Sequence, residues 1–183
     1  MASIEDEFLT EVETTVKTKK SNRKKSINSK KKGNHGELDC VHILNDRFVG
    51  YTFARSVQSG AYTGGMNRGR AEALTEEQML VFSGDIRIPK DFNYTIEHKF
   101  YAEASFWDLF NESSDLHSWM AQAQSDADAV GKKPMLVVKF NNKKRIVFIH
   151  DKPMEEVFSH RGWNCYWFED LLTLDDSFFF TKK

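Results

Sequence analysis

Apolar and polar positions change rhythm several times along the 183-residue chain, and each change marks an element. Residues 1–32 carry no periodic apolar face, and the Lys/Ser/Asn-rich run from Lys17 to Lys32 has a composition that stays solvated, so this stretch reads as a flexible arm. From Gly36 the pattern turns helical: Leu38, Val41 and Leu44 share a face, predicting a helix that ends before Phe48. Phe48 to Arg55 reads as a first strand, and the Gly/Ser/Thr/Asn-rich segment 56–70 as a loop. Val81–Pro89 and Tyr94–Phe100 are short runs of β-branched and aromatic residues around a polar break, the pattern of two antiparallel strands. Ser113 or Ser114 then caps a helix whose Leu116, Trp119, Met120, Ala123, Ala127 and Val130 share a face, closed by Gly131. Pro134–Phe140 and Arg145–His150 follow as strands about the polar turn 141–144. The last third, with Trp163, Tyr166, Trp167, Leu171, Leu172 and Phe178 to Phe180, is too apolar for a free tail and must bury against the sheet or another chain. These elements imply an α/β fold, a central mixed sheet of four or five strands flanked by helices, over residues 33–183.

Alternation sorts the chemistry of the central hairpin. Phe82, Ile86 and Ile88 share one face of its first strand while Asp85 points the other way; Ile96, His98 and Phe100 oppose Glu97 and Lys99 on the second. Burying the apolar faces together brings Asp85, Glu97 and Lys99 onto one patch. Two carboxylates and an ammonium on adjacent strands suit phosphodiester hydrolysis by a hard cation, which the carboxylates hold through oxygen. Lys99 would stabilise charge on the transition state or help deprotonate the attacking water. His98, on the apolar side, reads as a buried, hydrogen-bonded histidine.

Net charge adds less than its distribution. The formal charge is −1, yet residues 1–13 hold five acids and no base, Lys17 to Lys32 hold nine bases and no acid, and the remaining body is acidic. Lys24, Lys25, Lys31 and Lys32 within that basic run are candidates to neutralise DNA phosphates, the alternative being a merely solubilising tail. Cys40 and Cys165 lack any ligand spacing and read as reduced structural thiols, so neither zinc nor an organic cofactor is expected. No apolar run approaches the ~20 residues that span a bilayer, and the first residues are acidic where a signal peptide is basic. The expectation is a soluble protein without a membrane partner, in the cytoplasm of a prokaryotic or phage-infected cell, or in the nucleus of a eukaryote.

Gly84-Asp85, an eleven-residue gap and Glu97-His98-Lys99 together resemble the motif of the PD-(D/E)XK nuclease superfamily. Gly33-Asn34-His35-Gly36-Glu37 opens a helix where these nucleases carry another acidic ligand, although the dipole at a helix start favours a carboxylate such as Glu37 without any metal. Arg55-Ser56-Val57-Gln58-Ser59-Gly60 is similar to a run in archaeal Holliday junction resolvases and their phage-encoded relatives. Trp119 to Gln124, then Lys133 to Val138, resemble the family's following helix and strand, where a glutamine faces the metal site.

The resemblance implies a restriction-endonuclease-like fold and an Mg²⁺-dependent endodeoxyribonuclease, with Mn²⁺ able to substitute. It makes Asp85, Glu97 and Glu37 metal ligands, Lys99 and Gln124 further catalytic residues, and Arg55, Ser59, Arg68 and Arg70 phosphate contacts. The substrate it implies is branched DNA, cut by a homodimer; the C-terminal aromatic residues would form the two-fold interface. The alternatives are another nuclease of the superfamily, acting in repair, restriction or packaging, or a DNA-binding protein without activity.

Overall fold

The computed structural model describes residues 29–56, 74–75, 78–80, 83–102, 111 and 114–181. Its elements are α1 (Ser29–Arg47), β1 (Ala54–Arg55), β2 (Ile86–Arg87), β3 (Tyr94–Tyr101), α2 (Asp115–Asp128), β4 (Lys133–Phe140), β5 (Arg145–Ile149), β6 (Phe158–His160), β7 (Trp163–Trp167), α3 (Phe168–Leu171) and α4 (Asp176–Phe179). The strands form one mixed sheet in the order β1-β2-β3-β4-β5-β7-β6. Among the described strands only β3 and β4 run parallel, from Tyr94 opposite Lys133 to Tyr101 opposite Phe140. Parallel neighbours need a crossover, and α2 supplies it. Among the described residues no helix is long and apolar enough to cross a membrane.

Alternation along the central strands gives the sheet two apolar faces and therefore two cores. Ile96, Met135, Val137, Val147, Ile149 and Tyr166 pack on one side with Cys40, Val41 and Leu44 of α1. Leu136, Val138, Phe148 and Cys165 pack on the other with Trp119, Met120 and Ala123 of α2. This is the expected α/β architecture, consistent with a restriction-endonuclease-like fold, though seven strands replace four or five because the C-terminal third adds β6 and β7.

Three local expectations change. The first helix opens at Ser29, before the arm's expected end at residue 32, so Glu37 lies well inside it and not in its first turn. The first strand shrinks from Phe48–Arg55 to Ala54–Arg55. A turn takes its first part, with the Tyr51 N–H donating to the Phe48 carbonyl at 3.1 Å and Gly50 at φ +95°, and the Asn45 side chain takes the N–H of Phe53 at 2.8 Å and its carbonyl at 3.0 Å, groups a ladder would use. Most of the C-terminal aromatics pack inside the chain, the first of the two burials that the sequence left open. Phe179 and Phe180 meet Phe48 at 5.1 and 5.2 Å between ring centroids, and Phe92 bridges to Phe180. Trp163 and Tyr166 are buried in the sheet, Phe178 is partly buried and Trp167 stays exposed. Arg47 closes this end, donating to the carbonyls of Leu172 and Leu174 and pairing with Asp176.

Candidate active site

The β2–β3 hairpin carries the expected trio on one lobe. Gly84 turns the chain into β2 at φ +71°, and a Cβ there would lie 2.6 Å from the Ile96 carbonyl oxygen, so only glycine fits. That close approach lets the Asp85 N–H donate to the Ile96 carbonyl at 2.9 Å. Asp85 Oδ2 in turn accepts from the His98 N–H at 3.0 Å. With Ile86 opposite Ile96 on the α1 side, Glu97 and Lys99 project to the α2 side. Phe82 of the expected first strand lies outside the described residues, and so does the aromatic segment 103–110.

Glu97 is 2% exposed and Asp85 8%. Glu97 Oε1 accepts from Lys99 Nζ at 2.5 Å, while its Oε2 is buried with no partner. Burial, then the Asp85 carboxylate, push the Glu97 acid up to about 8, and the Lys99 charge offsets them only in part. Burial pulls the Lys99 ammonium down, but the Glu97 carboxylate, their hydrogen bond and Asp85 together hold it above its ordinary value. The lobe thus carries more negative charge than its lysine neutralises.

Glu37 reaches the site's field from α1. Its Oε2 forms an ion pair with Arg55 Nε at 2.9 Å without hydrogen-bond alignment, and burial and Asp85 raise its acid against the pull of Arg55 and Lys99. Arg55, expected on a phosphate, is therefore engaged with an expected metal ligand.

Gln124 is not brought to the site. Its carbonyl oxygen faces His150 Nε2 at 2.7 Å and its amide donates to Asp128 at 2.7 Å, so it ties α2 to the end of β5. The glutamine at the lysine is Gln122, whose Oε1 accepts from Lys99 Nζ at 3.1 Å. Asp126, on the same helix, lies in the field of this lobe. Burial and Asp85 push its acid up to about 6, with Lys99 opposing, and its charge adds to the rise at Glu97.

Of the expected DNA contacts, Lys31 and Lys32 stand on α1, with Lys32 Nζ 4.3 Å above the Phe100 ring. Ser59, Arg68, Arg70, Lys24 and Lys25 lie outside the described residues. His98 is buried as expected, but neither ring nitrogen has a hydrogen-bond partner, and burial lowers its pKa to about 4.

A divalent cation suits this donor set: hard carboxylate oxygens, one of them buried and unpartnered, in a lobe short of positive charge. As the side chains stand, no three His, Cys, Asp or Glu among the described residues form a ready metal cage. Asp85 spends an oxygen on the His98 N–H, Glu97 on Lys99 and Glu37 on Arg55.

A family model described as "Phage putative PDDEXK endonuclease" matches residues 28–171. The chain belongs to this family. The phage PD-(D/E)XK endonuclease match begins one residue before α1 and ends with α3, so it takes in the whole sheet and both helices that cover it. No curated protein and no solved structure matches the chain.

Proposed function

We propose that this PD-(D/E)XK endonuclease hydrolyses DNA phosphodiester bonds with a divalent cation, Mg²⁺ or Mn²⁺, held by Asp85 and Glu97 and reached by Glu37. The observation that carries this reading is the buried, unpartnered Oε2 of Glu97, in a lobe shared with Asp85 and Lys99. The cation, when bound, supplies Lewis-acid polarisation of the phosphate and a lowered pKa for its water. The protein's own groups do the rest. Lys99 is anchored between Glu97 Oε1 and Gln122 Oε1 and kept protonated by the neighbouring carboxylates. That favours charge stabilisation at a phosphate oxygen over proton removal from water. With Glu37 given over to a cation, Arg55 would be left to meet a DNA phosphate.

The finer substrate reading is branched DNA cut symmetrically by two copies of the chain. It is supported by the Arg55-to-Gly60 run and by the two-fold symmetry of a four-way junction. It loses the aromatic-interface argument.

Cleavage of linear, nicked, flapped and four-way DNA with Mg²⁺ or Mn²⁺ tests both levels. Wild type should cut, and Asp85→Asn, Glu97→Gln and Lys99→Ala should each lose at least about a hundredfold in rate while folding normally. Undiminished cleavage in EDTA would refute the metal-dependent reading. Equal rates on linear and four-way DNA would refute the branched one, and a monomer by light scattering would refute the pair.

A further inference from the structure

The α1-side carboxylate was expected from the sequence; the α2 side has an acidic residue of its own. We propose that Asp126 is an acidic residue of the metal site, contributed by α2 and standing across from Glu97. The proposal rests on the metal-dependent reading above.

The argument is one of matched spacing. Because α2 joins the end of β3 to the start of the parallel β4, it runs antiparallel to β3. Gln122 is fixed beside Lys99 by the 3.1 Å hydrogen bond. Four residues along α2 advance about 6 Å on the same face. Two residues back along β3, from Lys99 to Glu97, cover about 6.6 Å on the same face. Asp126 therefore stands abreast of Glu97 as Gln122 stands abreast of Lys99. The helix lies close enough for this to matter, since its adjacent Ala123 and Ala127 are both buried against the sheet. Asp126 itself is half-buried, and Asp85, Glu97 and Lys99 all act on or respond to its charge.

An acid in that position has a cost without a ligand. It adds a further negative group beside Glu97, whose Oε2 is already buried and unpartnered. Gln122 and Asp126 thus divide the helix's work: the amide holds the ammonium in place, and the carboxylate extends the oxygen-donor set toward the cation. A purely structural Asp126 would lower repulsion by pairing with a base, and among the described residues the cation that acts on it is Lys99, already shared by Glu97 and Gln122.

The test measures Mn²⁺ binding to the full chain by calorimetry, without DNA, alongside thermal melting in EDTA. Asp126→Asn should weaken Mn²⁺ affinity by about tenfold or more, and should melt no lower than wild type in EDTA because it removes a repulsive charge. Asp126→Glu should recover most of the affinity. Asp126→Asn binding Mn²⁺ within about twofold of wild type, while Glu97→Gln loses it, would overturn the Asp126 assignment and leave the metal-dependent reading intact. Wild type that takes up no Mn²⁺ at all would sink that reading and this one with it. A lower melting point in EDTA with unchanged affinity would make Asp126 structural.

Discussion

Replacing Gly36 with alanine probes the seam between α1 and β3, and Gly33 on the same helix is its control. A Cβ on Gly36 would lie 2.7 Å from His98 Cε1 and 2.9 Å from Phe100 Cδ1, whereas one on Gly33 would have no heavy atom within 4 Å. Helix propensity favours alanine over glycine by about 0.8–1 kcal/mol, so Gly33→Ala should stabilise by up to that amount, less some fraying. At Gly36 the same gain is opposed by overpacking, typically about 1–3 kcal/mol. His98 cannot retreat easily: it is 4% exposed, and β3 is paired along its whole length to β4. Subtracting the two variants cancels most of the propensity gain. The expected difference is about 1–3 kcal/mol, or roughly 2–10 °C in melting temperature for a domain of this size. Urea denaturation and thermal melting in EDTA would measure it. Gly36→Ala as stable as Gly33→Ala would refute the close approach of helix and strand. Since α1 carries Glu37, the same displacement should also lower nuclease activity in Gly36→Ala and spare it in Gly33→Ala.

Three further outcomes follow from charge and burial. The His98 pKa is held near 4, below its ordinary 6.5, so its contribution is present above 6.5 and lost as pH falls toward 4; His98→Leu should flatten that acid decline by up to about 3 kcal/mol in urea titrations. The Glu97 acid is held near 8, so its contribution is present below about 4.5 and lost as pH rises toward 8; Glu97→Gln should flatten the alkaline decline in EDTA-treated protein. Deleting residues 1–28, which stops short of α1, should leave the melting temperature unchanged and lower the salt slope of DNA binding by about 0.9 for each phosphate those bases neutralise; an unchanged slope would mean that they never reach phosphate.

Much of this was legible in the sequence because period-2 alternation fixes faces. Asp85, Glu97 and Lys99 share a lobe and His98 opposes them because Ile86 and Ile96 must be buried together. The glutamine was misread for a geometric reason. Trp119, Ala123 and Ala127 define an apolar stripe on α2, and at roughly 100° per residue Gln124 borders it on one side while Gln122 and Asp126 border it on the other. Helical periodicity locates the stripe but leaves open which border overlies β3. The position of the β3–α2–β4 crossover decides that, and it is a property of the chain's path. The first strand failed differently, through the turn at Phe48 to Tyr51 with Gly50 at positive φ and through the Asn45 side chain, which claims both backbone groups of Phe53. The C-terminal aromatics were recognised as buried, yet apolar content alone does not tell burial in the same chain from burial in a partner.

The site lies where strand pairing gives out, and Asp85 is the reason. Beyond Ile86 opposite Ile96 the β2–β3 ladder stops, and the His98 N–H is taken by the Asp85 carboxylate in place of a backbone carbonyl. The Asp85 side chain thus takes the ladder position next to the buried Glu97. On the proposed function Asp85 has a metal-site duty beside this structural one, and two substitutions separate them. Asp85→Asn keeps an oxygen for the His98 N–H but loses the charge, so folding should hold while activity and divalent-cation affinity fall. Asp85→Ala also abandons a buried N–H, which costs about 1–3 kcal/mol. Removing the carboxylate relieves repulsion at Glu97 in both variants, so their difference in urea midpoint isolates the hydrogen bond. Equal stability of the two would show that the His98 N–H finds another acceptor, and the reasoning that Asp85 terminates the ladder would fail.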